Sequence, residues 1–258
     1  LDPAKRLKNS VMKVTPEDVG ISGARLYKID HLTKRYIDEG KLAGTITLVA
    51  RRGKIAHLQT QGKMDVEADK DMAEDTIFRI YSMTKPITST TLMMLYEDGN
   101  FQLDDPVSRY IPKFKHLEVY GENGNVATER EMTIRDLLTH TSGLTYGFMR
   151  TTAVDEMYRD QAVEESDDLE QMIEKLTDIP LLFTPGSRWS YSVATDVCGY
   201  LVQKISDTPF TEFLCEQILD PLGMHDTDFH VPADKVHRLA ANYEHTDDDG
   251  MRLVDSPE

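Results

Sequence analysis

The sequence changes character within IFRIYSMTKPITSTTLMMLY, residues 77–96. Its first five residues are rich in β-branched and aromatic side chains, whereas residues 87–96 are uncharged and largely apolar. Pro86 is best tolerated in the first turn of a helix, where its missing amide hydrogen would have no partner. The stretch therefore predicts a helix over residues 83–97 that begins at or beside Ser82.

Ser82 and Lys85 lie three residues apart, so a helix places the hydroxyl and the amine on one face. The start of a helix carries partial positive charge and free backbone donors, which suits a serine that attacks a carbonyl group. A second Ser-x-x-Lys, Ser10 to Lys13, runs into Pro16, which disfavours helix just before it. We interpret the Ser82 tetrad as the candidate site.

The composition is that of an ordinary globular protein, with 258 residues, 40% of them hydrophobic and 29% charged. This length suits one large domain or two closely joined ones. No apolar run approaches the roughly 18 residues that a membrane span requires. We expect no membrane span and favour a cytoplasmic location. A processed export signal stays an alternative, since the chain starts at Leu1 rather than methionine.

Charge is unevenly distributed along the chain. Residues 1–64 hold 13 Lys and Arg against 6 Asp and Glu, a net charge of +7, which leaves −23 for residues 65–258 within the total of −16. An acidic surface of that size argues against nucleic acid as a partner. Residues 155–170 are the most acidic stretch, and we interpret them as a solvated helix or a lid.

The secondary-structure pattern predicts an α+β body with an inserted helical domain. A helix over 22–39 capped by Ser22 precedes a hairpin with strands 45–51 and 55–61, and helical patterns dominate after Ser82. We divide the chain into an N-terminal part of the α/β body (1–76), a helical domain (77–231) and the start of a return to the body (232–258). The further predicted helices cover 133–139, 169–176, 194–205 and 209–219, and residues 247–250 read as a turn.

Metal and cofactor chemistry have no support in the sequence. Cys198 and Cys215 lie in apolar helical patterns and read as core residues. The chain lacks H-E-x-x-H, P-loop and G-x-G-x-x-G motifs, and the polar run 225–230 has no recognised ligand spacing. We therefore expect no metal and no cofactor.

A serine nucleophile also needs a proton acceptor, and Lys85 and Tyr191 are the candidates. Loss of the Lys85 proton at pH 7 would cost about 4 to 5 kcal/mol at the ordinary lysine pKa. We expect burial to lower this pKa and so to favour the neutral amine. A tyrosine beside a cation forms its phenolate more easily, so the two groups can share a proton as one base. Tyr191 follows a Pro185-Gly186 turn at the start of a predicted helix, where it either projects into a cleft or packs beside Trp189.

Four ordered motifs resemble the serine β-lactamase-like superfamily, and most of all its family VIII carboxylesterases, which are related to class C β-lactamases and D-alanyl-D-alanine carboxypeptidases. The motifs are Tyr81-Ser82-Met83-Thr84-Lys85, Leu137-Leu138-Thr139-His140-Thr141-Ser142-Gly143-Leu144, the stretch from Pro185-Gly186 to Tyr191-Ser192, and Pro221-Leu222-Gly223-Met224. The resemblance implies an antiparallel sheet flanked by helices, with the helical domain inserted. It also implies that Ser82 is the acyl-forming nucleophile, Lys85 its proton partner and Tyr191 the general base, while His140 and Gly143 shape a loop.

The chain departs from this family in two places. Where β-lactamases and carboxypeptidases usually have Tyr-x-Asn, this chain has Tyr191-Ser192-Val193, which favours an ester over an amide substrate. The third family motif, on a C-terminal strand that supplies an oxyanion donor, has no counterpart before Glu258. We therefore expect an incomplete sheet here, completed by about 100 further residues or by a second chain.

The sequence thus predicts a serine carboxylesterase that acts on small, short-acyl esters. The alternatives are a β-lactamase or D,D-carboxypeptidase, an acyltransferase, and a non-catalytic binding protein that keeps the fold. Tyr146, Phe148 and Val193 are the candidate substrate-binding residues.

Overall fold

The structure, a computed structural model, describes residues 12–246 and 250–257 of the chain. Ser10 of the second tetrad and residues 247–249 of the predicted turn lie outside the described residues. The chain divides into two compact units. The described parts of Leu1–Ile80 and Pro221–Glu258 form the first unit, and Tyr81–Asp220 forms the second.

Helices dominate the second unit, and the longer strands lie in the first. Among the described residues, no helix has the length and apolar character needed to cross a membrane. The helices are α1 (Gly23–Asp38), α2 (Thr84–Glu97), α3 (Ile134–Leu138), α4 (Ala153–Asp160), α5 (Leu169–Thr177), α6 (Ala194–Ser206), α7 (Phe210–Leu214) and α8 (Asp220–Leu222), and the strands are β1 (Gly44–Arg51), β2 (Lys54–Asp65), β3 (Lys70–Asp71), β4 (Glu118–Val119), β5 (Val126–Ala127), β6 (Asn242–Thr246) and β7 (Gly250–Asp255).

In the first unit, helix α1 packs against the β1–β2 hairpin, and both were predicted. Ser22 is the N-cap of α1, and Gly40 after its C-terminus has the left-handed φ of 70° that glycine adopts without a steric penalty. The hairpin turns at Arg52 and Gly53, whose φ angles of 53° and 70° match the twist of antiparallel strands. The hairpin prediction is confirmed.

The end of the chain forms a second hairpin, β6–β7, which was not predicted as strands. The side chain of Arg79 holds the backbone on both sides of it, at 2.8 Å from the carbonyl of Ala240 and 2.9 Å from that of Ser256. Arg79 also pairs with Asp255 at 2.7 Å. Arg79 thereby holds the segment just before the Ser82 tetrad against the β6–β7 hairpin. This segment and the hairpin both belong to the first unit.

In the second unit, α6 is the central helix, and α2, α3, α5 and α7 pack against it. Leu92 of α2 is fully buried, as is Cys198 of α6, which confirms that this cysteine is a core residue. Gly199 lets the ring of Phe210 approach, because a β-carbon there would lie 3.3 Å from two ring carbons. The helix predicted over 209–219 begins as α7 and widens into a π-helical turn, Cys215–Leu219.

The acidic stretch 155–170 is not a single solvated helix, and this prediction was wrong for Asp155. The stretch spans most of α4, a 3-10 turn and the start of α5. Asp155 is fully buried, where it accepts hydrogen bonds from Thr145 Oγ1 at 2.7 Å and from the amide of Thr151 at 2.8 Å. A run of carboxylates in a sequence does not distinguish a solvated residue from one that caps a helix.

Candidate active site

Ser82 lies in a 3-10 turn, Tyr81–Met83, that leads directly into α2. Met83 is the N-cap and Pro86 is the third helical residue, so the predicted position of the helix start is confirmed. Tyr81 has a φ of 43°, a left-handed conformation that a bulky residue rarely adopts. Such strain persists only where the surrounding structure holds it, and it is concentrated at functional sites.

The structure brings Ser82, Lys85 and Tyr191 together across 109 residues of sequence. The hydroxyl of Tyr191 donates a hydrogen bond of 2.6 Å to Oγ of Ser82. Nζ of Lys85 lies 4.8 Å from the centre of the Tyr191 ring and 5.3 Å from that of Tyr146. Tyr191 therefore contacts the serine hydroxyl, and Lys85 lies over the ring of Tyr191.

Backbone pairing with the segment around His140 positions Tyr191. The resemblance assigned that segment a loop-shaping role, and its carbonyl groups accept hydrogen bonds from the segment that carries Tyr191. At Gly143, with a φ of 89°, a β-carbon would lie 2.4 Å from the carbonyl oxygen of Phe183, so no side chain fits. The bonds are Leu182 N to Gly143 O (2.7 Å), Gly186 N to Thr141 O (2.7 Å), Ser190 N to His140 O (2.9 Å) and Val193 N to Thr145 O (3.2 Å).

An ion pair between the half-exposed Arg130 and the buried Asp136 supports the same loop. Arg130 donates two hydrogen bonds to the carboxylate of Asp136, at 2.7 and 2.8 Å, and Asp136 also accepts from the amide of Thr133 at 2.9 Å. Gly186 lies against this guanidinium, and a β-carbon there would fall 1.8 Å from Arg130 Nη2. Burial acts to raise the pKa of Asp136, but the bonds from Arg130 and Thr133 outweigh it and lower the pKa.

The pKa of Lys85 depends on two opposing effects. Partial burial acts to lower the pKa of Lys85, but hydrogen bonds to the hydroxyls of Tyr146 and Tyr191 outweigh it, so the pKa lies above its ordinary value. Burial thus acts on Lys85 in the predicted direction, but the net shift of the pKa is opposite, because the sequence did not reveal two phenols around the amine. Lys85 is the charged partner of the site.

The pKa of Tyr191 moves in the direction predicted for a phenol beside a cation. Partial burial acts to raise it, but hydrogen bonds to Ser82 and Lys85 and the charge of Lys85 outweigh burial and lower the pKa. The negative charge of Asp196 acts in the opposite direction. Of the groups around Ser82, Tyr191 is thus the phenol that loses its proton most readily.

The three candidate substrate-binding residues lie in different surroundings. Tyr146 is buried and contacts Lys85, and burial raises the pKa of its hydroxyl to about 12. Val193 is also buried, as the N-cap of α6, and has almost no surface to offer a ligand. Phe148 stacks on Tyr146 at 4.7 Å between ring centres and is 61% exposed, so it alone of the three offers a large accessible surface.

Sequence reasoning missed two features of the site. The contact between Lys85 and Tyr146 has no local signal, since the residues are far apart in sequence. The role of Asp136 was open to detection, because Thr133 followed by an acidic residue three positions later is the pattern of a capping box, and Thr133 is the N-cap of α3.

The chain belongs to the Beta-lactamase family, because the family model described as Beta-lactamase matches residues 29–256. The resemblance drawn from the four motifs and the predicted α+β, β-lactamase-like fold class are confirmed.

Curated relatives and solved structures resemble most of this chain. Protein Rv1367c of Mycobacterium tuberculosis is 36% identical over 220 residues, which are 83% of this chain and 54% of the relative. Esterase EstB of Burkholderia gladioli is 35% identical over 234 residues, 90% of this chain and 58% of the relative. The solved structure of EstCE1, described as a hydrolase with promiscuous acyltransferase activity, superimposes with a TM-score of 0.79 at 29% identity and covers 90% of this chain and 59% of that one. The chain spans a little over half the length of these curated relatives.

Proposed function

We propose that the protein is a serine carboxylesterase that cleaves small, short-acyl esters through an acyl-enzyme on Ser82. The observation that carries this proposal is the 2.6 Å hydrogen bond between the hydroxyl of Tyr191 and Oγ of Ser82, beside the ammonium group of Lys85. Similarity to Esterase EstB and to EstCE1 supports an ester substrate. The Ser-Lys-Tyr roles and the substrate class are part of the proposal.

Acylation begins with Tyr191 as the phenolate and Lys85 as the ammonium. The phenolate accepts the proton of Ser82 Oγ, which attacks the ester carbonyl carbon, and the carbonyl π electrons move onto oxygen. The backbone amide of Ser82, just before α2, is one donor for this oxyanion. The tetrahedral species then breaks the bond to the alcohol oxygen, which takes the proton from Tyr191.

Deacylation repeats these steps with water. Tyr191, again the phenolate, accepts a proton from water as the water oxygen attacks the acyl carbon. The second tetrahedral species expels Ser82 Oγ, which recovers the proton from Tyr191, and the carboxylic acid leaves. Lys85 keeps its charge throughout, and its ammonium stabilises the phenolate at the start of each half.

Hydrolysis of short-chain p-nitrophenyl esters by the complete protein tests this proposal. Ser82→Ala is expected to lower kcat by at least about 10³-fold with unchanged thermal unfolding. Ser89→Ala, on the same helix, is the matched control and is expected to retain activity. Normal turnover by folded Ser82→Ala would remove Ser82 as the nucleophile.

A lactamase or peptidase activity is tested in parallel. Val193 stands where those enzymes usually carry an asparagine, so the amide that would hydrogen-bond a lactam or peptide is missing. Turnover of nitrocefin or of a D-Ala-D-Ala peptide is therefore expected to be far slower than that of an ester. Faster turnover of nitrocefin or of the peptide than of the ester would favour a β-lactamase or a D,D-carboxypeptidase.

Acyl transfer is the second candidate, favoured by the description of EstCE1. An alcohol acceptor added to the ester assay would compete with water for the acyl-enzyme. An ester product that forms faster than the free acid would assign the protein to the acyltransferases. A protein that neither turns over esters nor is labelled by a fluorophosphonate probe would instead be a non-catalytic member of the fold.

A further inference from the structure

His140 contacts the site but has no part in the steps above. Its Nδ1 lies 3.2 Å from Oγ of Ser192, which is fully buried. The imidazole ring is 5.1 Å from the ring of Tyr191 and meets Trp189 edge-on at 6.3 Å. Its carbonyl oxygen accepts the hydrogen bond from the amide of Ser190. One residue thus contacts the side chain of Tyr191 and both of its neighbours in sequence.

We propose that His140 is a positioning residue that holds the ring of Tyr191 against Ser82 and does so as the neutral imidazole. This inference rests on the proposed function of Tyr191 as the general base. A phenol has two side-chain torsions, and its hydroxyl reaches Ser82 only when both are fixed. The imidazole packs against that ring at a tilt of 43°, while its Nδ1 hydrogen bond fixes Ser192 beside it.

The charges around His140 favour its neutral form. Lys85, on α2, is the cation that faces it, and Tyr191 and Ser192 face it from the segment before α6. Burial, followed by the charge of Lys85, lowers the pKa of His140. A protonated imidazole would place a second cation beside Lys85, and a phenolate stabilised by two cations is a weaker base. Activity is therefore expected to fall when His140 gains a proton.

The backbone at His140 determines which substitutions are informative. Its φ of 56° is left-handed, so alanine or leucine would add strain of their own. Glycine and asparagine adopt this conformation readily. His140→Gly removes the ring and the hydrogen bond to Ser192, whereas His140→Asn keeps a polar group that can reach Ser192 and is the conservative variant.

The kinetic test uses p-nitrophenyl butyrate and the complete protein. His140→Gly is expected to lower kcat by about 10- to 100-fold with KM within about threefold, since a positioned base acts on the chemical step. His140→Asn is expected to recover a large part of the lost kcat. A folded glycine variant that keeps kcat within twofold would overturn the proposal, and so would an asparagine variant as impaired as glycine.

The pH profile separates positioning from a purely structural role. In the wild type, the logarithm of kcat/KM is expected to fall by one unit for each unit of decreasing pH below the pKa of Tyr191, as Tyr191 gains its proton. The slope should steepen to two below the ordinary imidazole pKa of about 6.5, as His140 also gains one. In His140→Asn the slope should stay at one. A wild-type slope of one at every pH where circular dichroism reports a folded protein would contradict the requirement for a neutral imidazole.

A spectroscopic titration distinguishes failure of this inference from failure of the proposed function. Tyrosinate absorbance of the wild type minus that of Tyr191→Phe isolates the ionisation of Tyr191 without any substrate. If His140 holds this ring beside Lys85, His140→Gly raises the pKa of Tyr191 toward 10, because the hydrogen bond to Lys85 is weakened. An unchanged or lower pKa would overturn the positioning role, whether or not Ser82 proves to be the nucleophile.

Discussion

The amine of Lys85 lies over the rings of two tyrosines, whose hydroxyl pKa values move in opposite directions. Tyr191 is partly exposed and hydrogen-bonded to Ser82, and its pKa is lowered. Tyr146 is buried, and its pKa rises to about 12. Pairs of titratable groups with divergent pKa values commonly mark separate roles in one site. Here the asymmetry favours Tyr191 as the base and Tyr146 as a neutral support for Lys85.

Removal of the Tyr191 hydroxyl tests the first of these roles. Tyr191→Phe keeps the ring contacts and deletes only the proton acceptor, so kcat for ester hydrolysis is expected to fall by about 10²- to 10⁴-fold with unchanged thermal unfolding. Tyr27→Phe, an exposed tyrosine on α1, is the matched control. A Tyr191→Phe variant with nearly full activity would transfer the role of base to another group.

Removal of the Tyr146 hydroxyl tests the second role. Its hydrogen bond raises the pKa of Lys85, so Tyr146→Phe is expected to lower that pKa. The alkaline limb of the pH–rate profile, where Lys85 loses its proton, should move to lower pH, and kcat should fall by roughly tenfold. Profiles between pH 7 and 11 measure both changes. An alkaline limb at the wild-type position would show that Tyr146 does not support the charge of Lys85.

At the scale of elements, α3 holds the loop of Tyr191 in place through Asp136. This carboxylate caps α3, pairs with Arg130 and is 4% exposed. Asp136→Ala leaves the Thr133 amide and the guanidinium without their partner, and we expect a loss of about 3 kcal/mol in the free energy of unfolding.

An exposed ion pair on the same helix is the control for this prediction. Arg135 and Asp104 pair at 2.8 Å with both side chains largely in solvent. Asp104→Ala should leave the midpoint of urea unfolding nearly unchanged, because exposed ion pairs contribute little to stability. Equal losses for Asp136→Ala and Asp104→Ala would mean that the pair of Arg130 and Asp136 does not hold the loop.

Elements with strong local signals were predictable, and those that depend on distant contacts were not. Pro86 and the apolar residues after it predicted α2, and Arg52-Gly53 predicted the turn between β1 and β2. The capping box of Thr152 and Asp155 was open to detection, but the burial of Asp155 was not, since it depends on a contact with Thr145 ten residues earlier. Strands β6 and β7 were missed because they are only five and six residues long, and β6 has a single aromatic residue and no alternating apolar pattern.

At the scale of the whole molecule, the site illustrates the reach and the limit of sequence reasoning. The candidate nucleophile Ser82 and Lys85 are close in sequence, and spacing and helix-start chemistry predicted that they share one face of a helix start. Spacing alone left Tyr191 between a cleft and a packed position, and the family resemblance was needed to bring it to Ser82 across 109 residues. The pKa of Lys85 was beyond prediction, since its direction depends on which side chains surround the amine.

Acid stability of the molecule is expected to depend on two buried carboxylates. Burial acts to raise the pKa values of Asp136 and Asp155, but hydrogen bonds to their carboxylates outweigh burial and hold both pKa values below their ordinary range. A depressed pKa stabilises the folded state above the unfolded value of about 3.9, and this contribution is lost as pH falls through the folded pKa. Unfolding free energy should therefore drop steeply below about pH 4.

Exchange of one carboxylate for an amide checks this expectation by urea unfolding between pH 5 and 2. Asp155→Asn should lower stability at pH 5 and flatten its dependence on pH, because one titrating group is gone. Asp207→Asn, at the exposed left-handed C-cap of α6, should leave the dependence unchanged. An unaltered slope in Asp155→Asn would assign the acid sensitivity to other groups.

Gly186 limits how the loop before Tyr191 can be redesigned. Gly186 has a left-handed φ of 81°, and the guanidinium of Arg130 occupies the space of a side chain there, so any other residue would strain the backbone and displace Arg130. Ser187 and Trp189 are exposed on the same loop and can vary without that collision. A combinatorial library for new selectivity would therefore keep the glycine and diversify the positions that follow it.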